Sequence, residues 1–578
     1  RPRPHLHRPR GRGGGREVNG LENHVIILPI LLPIVAGAIM LLLDERRRDL
    51  KNRISIAAAL GIAISAIWLL VQVENPNTPE AFVYKLANWN APFGIVLVAD
   101  RLSALMVLVT AIIGTVALIY STSRWAVLGP RFHSLLLLLL MGLSGAFLTG
   151  DLFNLYVFFE VLLAASYGLL LHSSGKRRVK AGLHYVAVNL AGSFFFLVGV
   201  GLIYALTGTL NMADLEERMA ALPADQVPLL KAGAAVLGVA FLVKSGAWPL
   251  NFWLPTTYSA AAAPVAAIFS VMTKVGVYII LRLSSLLSAT EGNFELFGAS
   301  WLLFGGIGTI LFATFGVLST RHVPRIAGYA TIISSGTILA IIGSGSEAVI
   351  SSALYYLVGS TLGLAALFLL ADQITRRERL EAAGQDVGPI FHDDYETALL
   401  SEFEGVELGE DIPRGTALLA SSFFLVTVLL VGLPPLSGFM AKFGILSSLL
   451  KAWVAPDGGP LAGTQTAAWL LVGLIVFSGF TMLLALVRSG IDTFWTNHEQ
   501  AATMALRPAE ATAVLMLVLL AIGLALFAGP ALNYTDAASA YLADPDTYVR
   551  VVLGGVELVP GDVAQVPDAL GGDAGELP

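Results

Sequence analysis

Residues 244–278 read KSGAWPLNFWLPTTYSAAAAPVAAIFSVMTKVGVY, and this stretch decides the kind of protein that the chain forms. It lies in a long apolar region, yet it contains two lysines, Lys244 and Lys274, and the helix-breaking Pro249. A charge at the centre of a bilayer is costly, so intramembrane charges usually face a protein interior or a wet cavity and mark an ion or proton path. The stretch therefore predicts a membrane protein whose function depends on buried charge.

The composition of the whole chain is that of a membrane protein. Of its 578 residues, 56% are hydrophobic and only 13% are charged, and the mean hydropathy is +0.75. This balance is typical of a polytopic helical membrane protein. The chain has no cysteine, which excludes disulfides, cysteine-bound iron–sulfur clusters and thiolate metal sites within it. No Walker A or dinucleotide-binding glycine motif stands between a strand and a helix, so we expect no cofactor and no metal ion.

Apolar runs long enough to cross a bilayer as helices recur along the chain. We place fourteen spans near residues 25–43, 54–73, 101–121, 133–149, 151–171, 183–206, 231–254, 260–286, 299–319, 325–344, 349–371, 415–450, 467–488 and 511–530. They predict an all-α polytopic transmembrane domain over residues 25–530. Outside it we expect a disordered basic tail at residues 1–24 and an acidic, loosely structured tail at residues 531–578.

Two of the predicted spans contain an interruption. The seventh contains Pro249 within KSGAWP, and the twelfth contains Pro434 and Pro435 within GLPPLSG, followed by Lys442. Proline and glycine interrupt the helical hydrogen-bond ladder, and at membrane depth the freed backbone groups must line a buried or watery space. Carbonyls freed at the first break are placed to solvate the ammonium of Lys244.

The two broken spans are five spans apart, which predicts an internal repeat. Residues 133–286 and 299–488 would be matching five-helix halves, each with one broken helix. An odd number of helices per repeat inverts the second copy in the membrane and gives two pseudo-symmetric half-channels.

Loop charges predict the orientation of the spans. Basic residues cluster on one side of the predicted topology, at residues 44–53, 176–180, 321–325 and 376–379. The positive-inside rule makes that side cytoplasmic, so both termini are predicted to be external. The polar segment 373–414 is then a cytoplasmic loop, and the chain is expected in a cell (inner) membrane of prokaryotic type.

Four charged residues within predicted spans are candidates for a proton path: Glu160, Lys244, Lys274 and Lys442. Glu160 is about nine residues into its span, roughly 14 Å deep, where a short side chain cannot reach the interface. A lysine and a carboxylate that approach and separate can take up and release a proton, because each alters the protonation of the other. The alternatives are an ion pair that only fixes helix packing, or lysines that snorkel to the interface.

Hydroxyl and imidazole groups near these charges are candidates for a relay, namely His184, Ser334, Ser335, Thr337, Tyr355 and Tyr356. Such hydroxyls hold water wires in some proteins, but more often they form hydrogen bonds between helices. An imidazole at the place of His184 either relays protons or makes a polar contact.

Three stretches together resemble a known family: GDLFNLYVFFEVLLAASYGLL (150–170), residues 244–278, and VGLPPLSGFMAKFGIL (431–446). They resemble the antiporter-like membrane subunits shared by the multisubunit Mrp sodium/proton antiporter and by proton-pumping respiratory complex I. The resemblance covers roughly residues 25–530. WNAPFGIVLVADRLSALM (89–106) and TKVGVY (273–278) are similar to the D-type branch of the Mrp subunits. Complex I relatives usually read PLH-x-WLPDAH after the first break, whereas this chain has Asn251 and Thr256-Thr257-Tyr258 at the differing positions.

The resemblance implies a fold of inverted repeats and a role in cation (Na+)/proton antiport without enzymatic chemistry. It also implies other Mrp-type membrane subunits as partners. It pairs Glu160 with Lys244, and places Lys274 and Lys442 on the same polar axis at the membrane midplane. Many relatives carry a histidine in span eleven, where LYYLVGSTL has Gly359. We expect water to bridge that gap. The alternatives are a proton-pumping subunit of complex I and a scaffold subunit that transports nothing.

Overall fold

The computed structural model describes residues 21–44, 46–76, 78–125, 131–172, 175–288, 298–385, 414–454, 465–494 and 507–554, and all structural statements concern these residues. The described chain is almost entirely helical, with one antiparallel hairpin of β1 (Phe82–Lys85) and β2 (Val96–Ala99). Short 3-10 helices span Leu21–Ile27 and Leu86–Asn88. The α-helices are α1 Leu28–Leu42, α2 Arg48–Glu74, α3 Arg101–Ser121, α4 Phe132–Leu148, α5 Leu152–Leu170, α6 Lys176–Thr207, α7 Met212–Ala220, α8 Val227–Ser245, α9 Leu254–Ala260, α10 Ala263–Ser288, α11 Ala299–Leu318, α12 Val323–Ile342, α13 Glu347–Gln385, α14 Arg414–Val431, α15 Ser437–Val454, α16 Gln465–Phe494, α17 Pro508–Leu526, α18 Ala528–Ala543 and α19 Pro545–Leu553.

The helices agree with the predicted membrane spans. In the described residues, thirteen helices are long and apolar enough to cross a membrane, and Phe132–Leu148 is a shorter apolar helix. The predicted seventh span, 231–254, contains the end of α8 and the break that follows it, and α9 lies between the predicted seventh and eighth spans. The predicted twelfth span is divided into α14 and α15. This is an all-α polytopic membrane protein with a broken helix in each half.

Burial separates the helices into an inner and an outer group. Within their apolar windows, α10 is 100% buried, α13 is 94% buried and α12 is 89% buried, whereas α1, α2 and α6 are each 39% buried. The outer helices therefore expose apolar side chains, as a lipid-facing or subunit-facing surface requires. The inner three helices pack on one another, so polar groups placed on them are shielded from lipid.

The two helix breaks have the same local design. Helix α8 ends before Gly246, which has φ +68°, and α14 ends before Gly432, which has φ +84°. Glycine adopts this left-handed conformation at helix C-termini at little steric cost. A proline follows three residues later in each case, at Pro249 and Pro435. The shared order of glycine and proline agrees with the predicted repeat.

The two ends of the helical assembly differ. At one end lie the predicted basic loops, and the ion pairs Arg124–Asp372 at 2.6 Å and Arg376–Glu510 at 2.7 Å form at the same end. At the opposite end lie the hairpin, α7, α18 and α19; α19 packs on α7 and β1, and β1 contacts the N-terminal 3-10 helix. Residues 21 and 554 are therefore on the same side of the molecule. We call these the basic end and the terminus end.

Three predicted boundaries are wrong. The segment expected to be a loose C-terminal tail forms α18 and α19 up to residue 553, because its tyrosines pack onto the transmembrane domain, and Tyr534 Oη donates to the Arg101 carbonyl at 2.8 Å. Residues 373–385 continue helix α13 and do not begin a loop. Leu21–Glu22 and the residues after them belong to a 3-10 helix. Residues 1–20, 386–413 and 555–578 of the predicted tails and loop lie outside the described residues.

Candidate functional site

Glu160 on α5 and Lys244 on α8 both belong to the first half, and their side chains form no hydrogen bond with each other. Glu160 is half-buried on α5, and its Oε1 has no hydrogen-bond partner in the described chain. Lys244 is 6% exposed in the last turn of α8, and its Nζ likewise has no hydrogen-bond partner there. The ammonium lies 5.4 Å from the ring centroid of Phe159, on the face that attracts a cation. The expected direct pair is open in this structure.

A glycine brings the two lysine-bearing helices together. A Cβ on Gly276 of α10 would lie 2.7 Å from the Phe241 carbonyl, 2.9 Å from the Ser245 amide nitrogen and 3.3 Å from Lys244 Cβ. Two of these atoms belong to the α8 backbone, so α10 reaches the end of α8 only because residue 276 has no side chain. Gly276 therefore sets the separation between the helix of Lys274 and the helix end of Lys244.

Lys274 is the centre of a hydrogen-bonded group that joins three helices. The residue is fully buried on α10, and its Nζ donates to Ser334 Oγ at 2.8 Å and Ser335 Oγ at 3.1 Å, both on α12. Ser334 Oγ in turn lies 2.9 Å from Ser360 Oγ on α13. Tyr356 of α13 is also buried. A proton on Lys274 thus has a hydroxyl path towards α13.

Two other predicted relay groups donate their hydrogen bonds to backbone carbonyls and not to the Lys274 group. Thr337 donates to the Ile333 carbonyl within α12 at 2.8 Å. The Tyr355 hydroxyl donates to the Leu524 carbonyl of α17 at 2.9 Å, away from Lys274. These are the interhelical and intrahelical bonds that polar groups commonly form in membranes.

Lys442 caps the broken helix of the second half. Its Nζ donates to the Val431 carbonyl at 2.7 Å and the Leu430 carbonyl at 3.2 Å. These carbonyls end α14, where the helix dipole is negative and the break removes their helical partners. The carbonyl solvation predicted at Lys244 is therefore found at Lys442. At the first break, by contrast, the Trp248 amide donates to Thr309 Oγ1 at 2.8 Å.

Between Lys274 and Lys442 lies the position of the missing histidine. A Cβ on Gly359 would meet Ser437 Oγ at 3.4 Å, which is ordinary contact. Ser437 begins α15 and is fully buried, and its Oγ has no hydrogen-bond partner in the described chain. Sequence reasoning missed Ser437, although its place just after the break, five residues before Lys442, is a usable signal. The order of polar groups is Lys274, Ser334, Ser360, Ser437 and Lys442.

His184 is not part of this group. It is exposed on the outer face of α6, whereas the adjacent Tyr185 is fully buried with its hydroxyl 2.8 Å from Ser166 Oγ. Consecutive residues on a helix point about 100° apart, which allows His184 to face outwards while Tyr185 faces in. The predicted intramembrane relay by His184 within this chain is wrong.

A cavity of about 450 Å³ opens at the basic end beside α9 and α10. Its lining includes the cationic side chains of Arg124, Lys176, Arg177 and Arg178 and the carboxylate of Asp372. The buried Tyr258 also lines it, and its hydroxyl donates to the Phe269 carbonyl of α10 at 3.0 Å, five residues before Lys274. The cavity therefore brings the basic end close to the central lysine.

Buried lysines beside two broken helices, on a bundle of apolar spans, define an antiporter-like transmembrane subunit. The family described as NADH:quinone oxidoreductase/Mrp antiporter, TM, matches residues 149–455. The chain is 48% identical to the D-type subunit of a probable K(+)/H(+) antiporter of Rhizobium meliloti (strain 1021), with 92% of this chain and 98% of that protein covered. It is 34% identical to the D-type subunit of a Na(+)/H(+) antiporter of Bacillus subtilis (strain 168), with 92% and 99% covered.

A solved structure shows the same fold. "Structure of Mrp complex from Dietzia sp. DQ12-45-1b" contains a chain with a TM-score of 0.76 and 24% identity, and the match covers 92% of this chain and 100% of that chain. The present chain belongs to the family of D-type subunits of multisubunit cation/proton antiporters, within the superfamily shared with complex I.

Proposed function

We propose that this chain carries protons through the Glu160, Lys244, Lys274 and Lys442 axis of a multisubunit antiporter that exchanges protons for a monovalent cation. The chain is a membrane-embedded subunit of a hetero-oligomeric complex and acts as part of a secondary transporter, not as an enzyme. Na+ is the exchanged ion expected from sequence, and K+ is the ion in the name of the Rhizobium relative. Both ions therefore belong in any assay.

The observation that carries the proposal is Lys274, fully buried and hydrogen-bonded through Ser334 to Ser360. A charged side chain in this position is expensive and contributes little net stability, so function explains it better than packing does. The axis suits protons and not Na+ or K+, because three lysines repel an alkali cation. The open Glu160–Lys244 arrangement is one of the two states that proton loading and release require.

The gap at Gly359 is the weakest hydrogen-bonded part of the axis. We propose that water links Ser360 with Ser437, because a buried hydroxyl such as Ser437 Oγ normally has a partner. A high-resolution map of the complex with ordered water between these serines would support the link. A map with dry side-chain packing between them would remove it.

The basic loops support an orientation of the chain in the membrane. We propose that the basic end faces the cytoplasm of a cell (inner) membrane and that the terminus end faces outwards. A single cysteine at position 177 should react with a membrane-impermeant reagent only from the cytoplasmic side. Reaction in intact cells would reverse the topology.

The family description also includes NADH:quinone oxidoreductase, so a redox-driven pump subunit is the second candidate. Purification of the tagged chain separates the two functions. Other small membrane subunits without flavin or iron–sulfur subunits would favour the antiporter, and copurifying flavin and iron–sulfur subunits would favour the pump.

The proposal is tested by the variants Glu160→Gln and Lys244→Ala in the complete complex. Both should abolish Na+- or K+-dependent proton flux in everted vesicles while the complex remains assembled, and Glu160→Asp should restore part of the flux. Lys451→Ala is the matched control, because Lys451 is an exposed lysine in the last turn of α15. Normal flux in Glu160→Gln would refute the mechanism, and loss of flux together with loss of the complex would favour a scaffold role.

A further inference from the structure

Helix α10 carries a second charged residue on the face of its central lysine. Lys274, Tyr278 and Arg282 are spaced four residues apart, so they follow one another along one side of the helix. Arg282 lies about 12 Å beyond Lys274 along the helix axis, towards the terminus end. Tyr278 connects the two positions, and its hydroxyl donates to the Phe147 carbonyl at 2.6 Å. The axis from Lys274 to the terminus end therefore passes Arg282.

Arg282 is held in a buried ion pair. Its Nη2 lies 2.5 Å from Asp100 Oδ2, and the two side chains are 5% and 0% exposed. Asp100 is also the N-cap of α3, where its Oδ1 accepts from the Ser103 amide at 2.8 Å. The pair thus joins the end of the hairpin and the start of α3 to the central helix α10.

The C-terminal helices cover this pair. The ring of Tyr548 on α19 lies 5.2 Å from Arg282 Cζ, and the hydroxyl of Ser285 donates to the Leu542 carbonyl of α18. Tyr541 on α18 is buried and lies close enough to Asp100 and Arg282 to interact with their charges. The segment that the sequence describes as a loose tail is therefore a cover over the terminus end of α10.

The two ends of α10 differ in the cavities beside them. The cavity at the terminus end, of about 320 Å³, is lined mainly by apolar side chains, among them Ile280 and Leu283. At the basic end, the cavity of about 450 Å³ is lined by cationic side chains and by Tyr258, whose hydroxyl donates to the Phe269 carbonyl of α10, five residues before Lys274. At the terminus end, a fixed guanidinium and a layer of aromatic rings stand on the same axis. A fixed positive charge in a narrow path is an electrostatic barrier to cations and protons. Replacing such a buried pair by neutral groups often costs little stability, so stability alone does not account for it.

We propose that Arg282, held by Asp100 under α18 and α19, closes the terminus end of the Lys274 path, so that Lys274 exchanges protons only with the basic end. Arg282 is a positioning residue that makes access one-sided. This inference rests on the proposed proton path. One-sided access prevents a proton on Lys274 from crossing without the counter-ion.

The test measures passive proton leak through the complete complex in liposomes. A pH gradient is imposed in choline salts, without Na+ or K+, and its decay is followed with a trapped dye. The double variant Arg282→Gln with Asp100→Asn keeps the pair neutral, and asparagine remains a good N-cap. We expect decay about tenfold faster than in the wild type, which corresponds to about 1.4 kcal/mol off the barrier. Tyr548→Ala, which uncovers the pair, should also increase the leak.

Two controls make the result specific. The first control is Arg101→Gln, at the residue that follows Asp100. Arg101 pairs with the half-exposed Glu74 at 3.6 Å and is not on α10, so this variant should not increase the proton leak. Adding Lys274→Met to the double variant should abolish the extra leak if that leak passes through Lys274.

The inference is wrong if the double variant Arg282→Gln with Asp100→Asn and the variant Tyr548→Ala both form the complete complex and show no increase in proton leak. It is also wrong if neither assembles, because the pair would then serve folding alone, or if the leak persists without Lys274. Failure of the proposed function appears separately, as normal antiport in the single variant Lys274→Met.

Discussion

Gly276→Ala should damage transport through one added methyl group. The new Cβ would lie 2.7 Å from the Phe241 carbonyl oxygen, whereas ordinary contact begins at 3.4 Å, so α8 and α10 must separate by about 0.7 Å, the difference between these distances. The obstructing atoms are backbone, so rotation of a side chain cannot relieve the contact. Overpacking of this kind typically costs about 1–3 kcal/mol.

The functional loss should exceed the loss of stability. A misplacement of about 1 Å between reacting groups can cost about 100-fold in rate. We therefore expect Na+- or K+-dependent proton flux in everted vesicles to fall at least about tenfold, with most of the complex still assembled. Gly201→Ala is the control, because a Cβ there meets no atom within 4 Å among the described residues. Flux within about twofold of wild type in Gly276→Ala, the change expected of a harmless substitution, would refute the assigned role.

Lys442 at the second helix break and Glu216 on α7 give two further predictions. Lys442→Arg should keep the cap on the Val431 carbonyl and the assembled complex but abolish flux, because arginine does not release its proton; retained flux would show that Lys442 need not titrate. Burial and the nearby carboxylates of Asp546 and Glu217 raise the pKa of Glu216 to about 6 from 4.5. The free-energy cost of keeping Glu216 ionised in the folded protein is therefore absent below pH 4.5 and complete above about pH 6. The docking of α19 on α7 should consequently become more stable as pH falls through that window. Hydrogen exchange of α19 should show this and should lose most of its pH dependence in Glu216→Gln; equal dependence in both proteins would contradict the assignment.

The sequence predicted those features that have a strong local cause. Lys274 and Glu160 stand out because charge is rare at membrane depth, and the two breaks stand out because Pro249 and Pro435 cannot continue a helix. These signals place the spans, the broken helices and the candidate axis without any knowledge of packing.

The remaining features depend on packing that no local pattern contains. His184 and Tyr185 are equally plausible by composition, and only the rotation of α6 decides which one faces the interior. Tyr548 lies 266 positions from Arg282, so nothing in the acidic C-terminal segment indicates that it covers a buried ion pair. For the same reason, the sequence favours capping of the first half-helix by Lys244, whereas the reach of Lys442 back over its own break is visible only in three dimensions.

Proton passage along the axis of Glu160, Lys244, Lys274 and Lys442 requires Glu160 to take up and release a proton during transport, and infrared difference spectroscopy of the complex in lipid detects such a change in a carboxylate. Spectra recorded before and after addition of Na+ or K+ should contain a carboxylic-acid band that is absent in Glu160→Gln and unchanged in the control Glu217→Gln. Glu217 is a suitable control because it lies on α7 at the terminus end, outside the transmembrane spans. A transport-competent wild type whose carboxylic-acid bands are identical to those of Glu160→Gln would contradict the account.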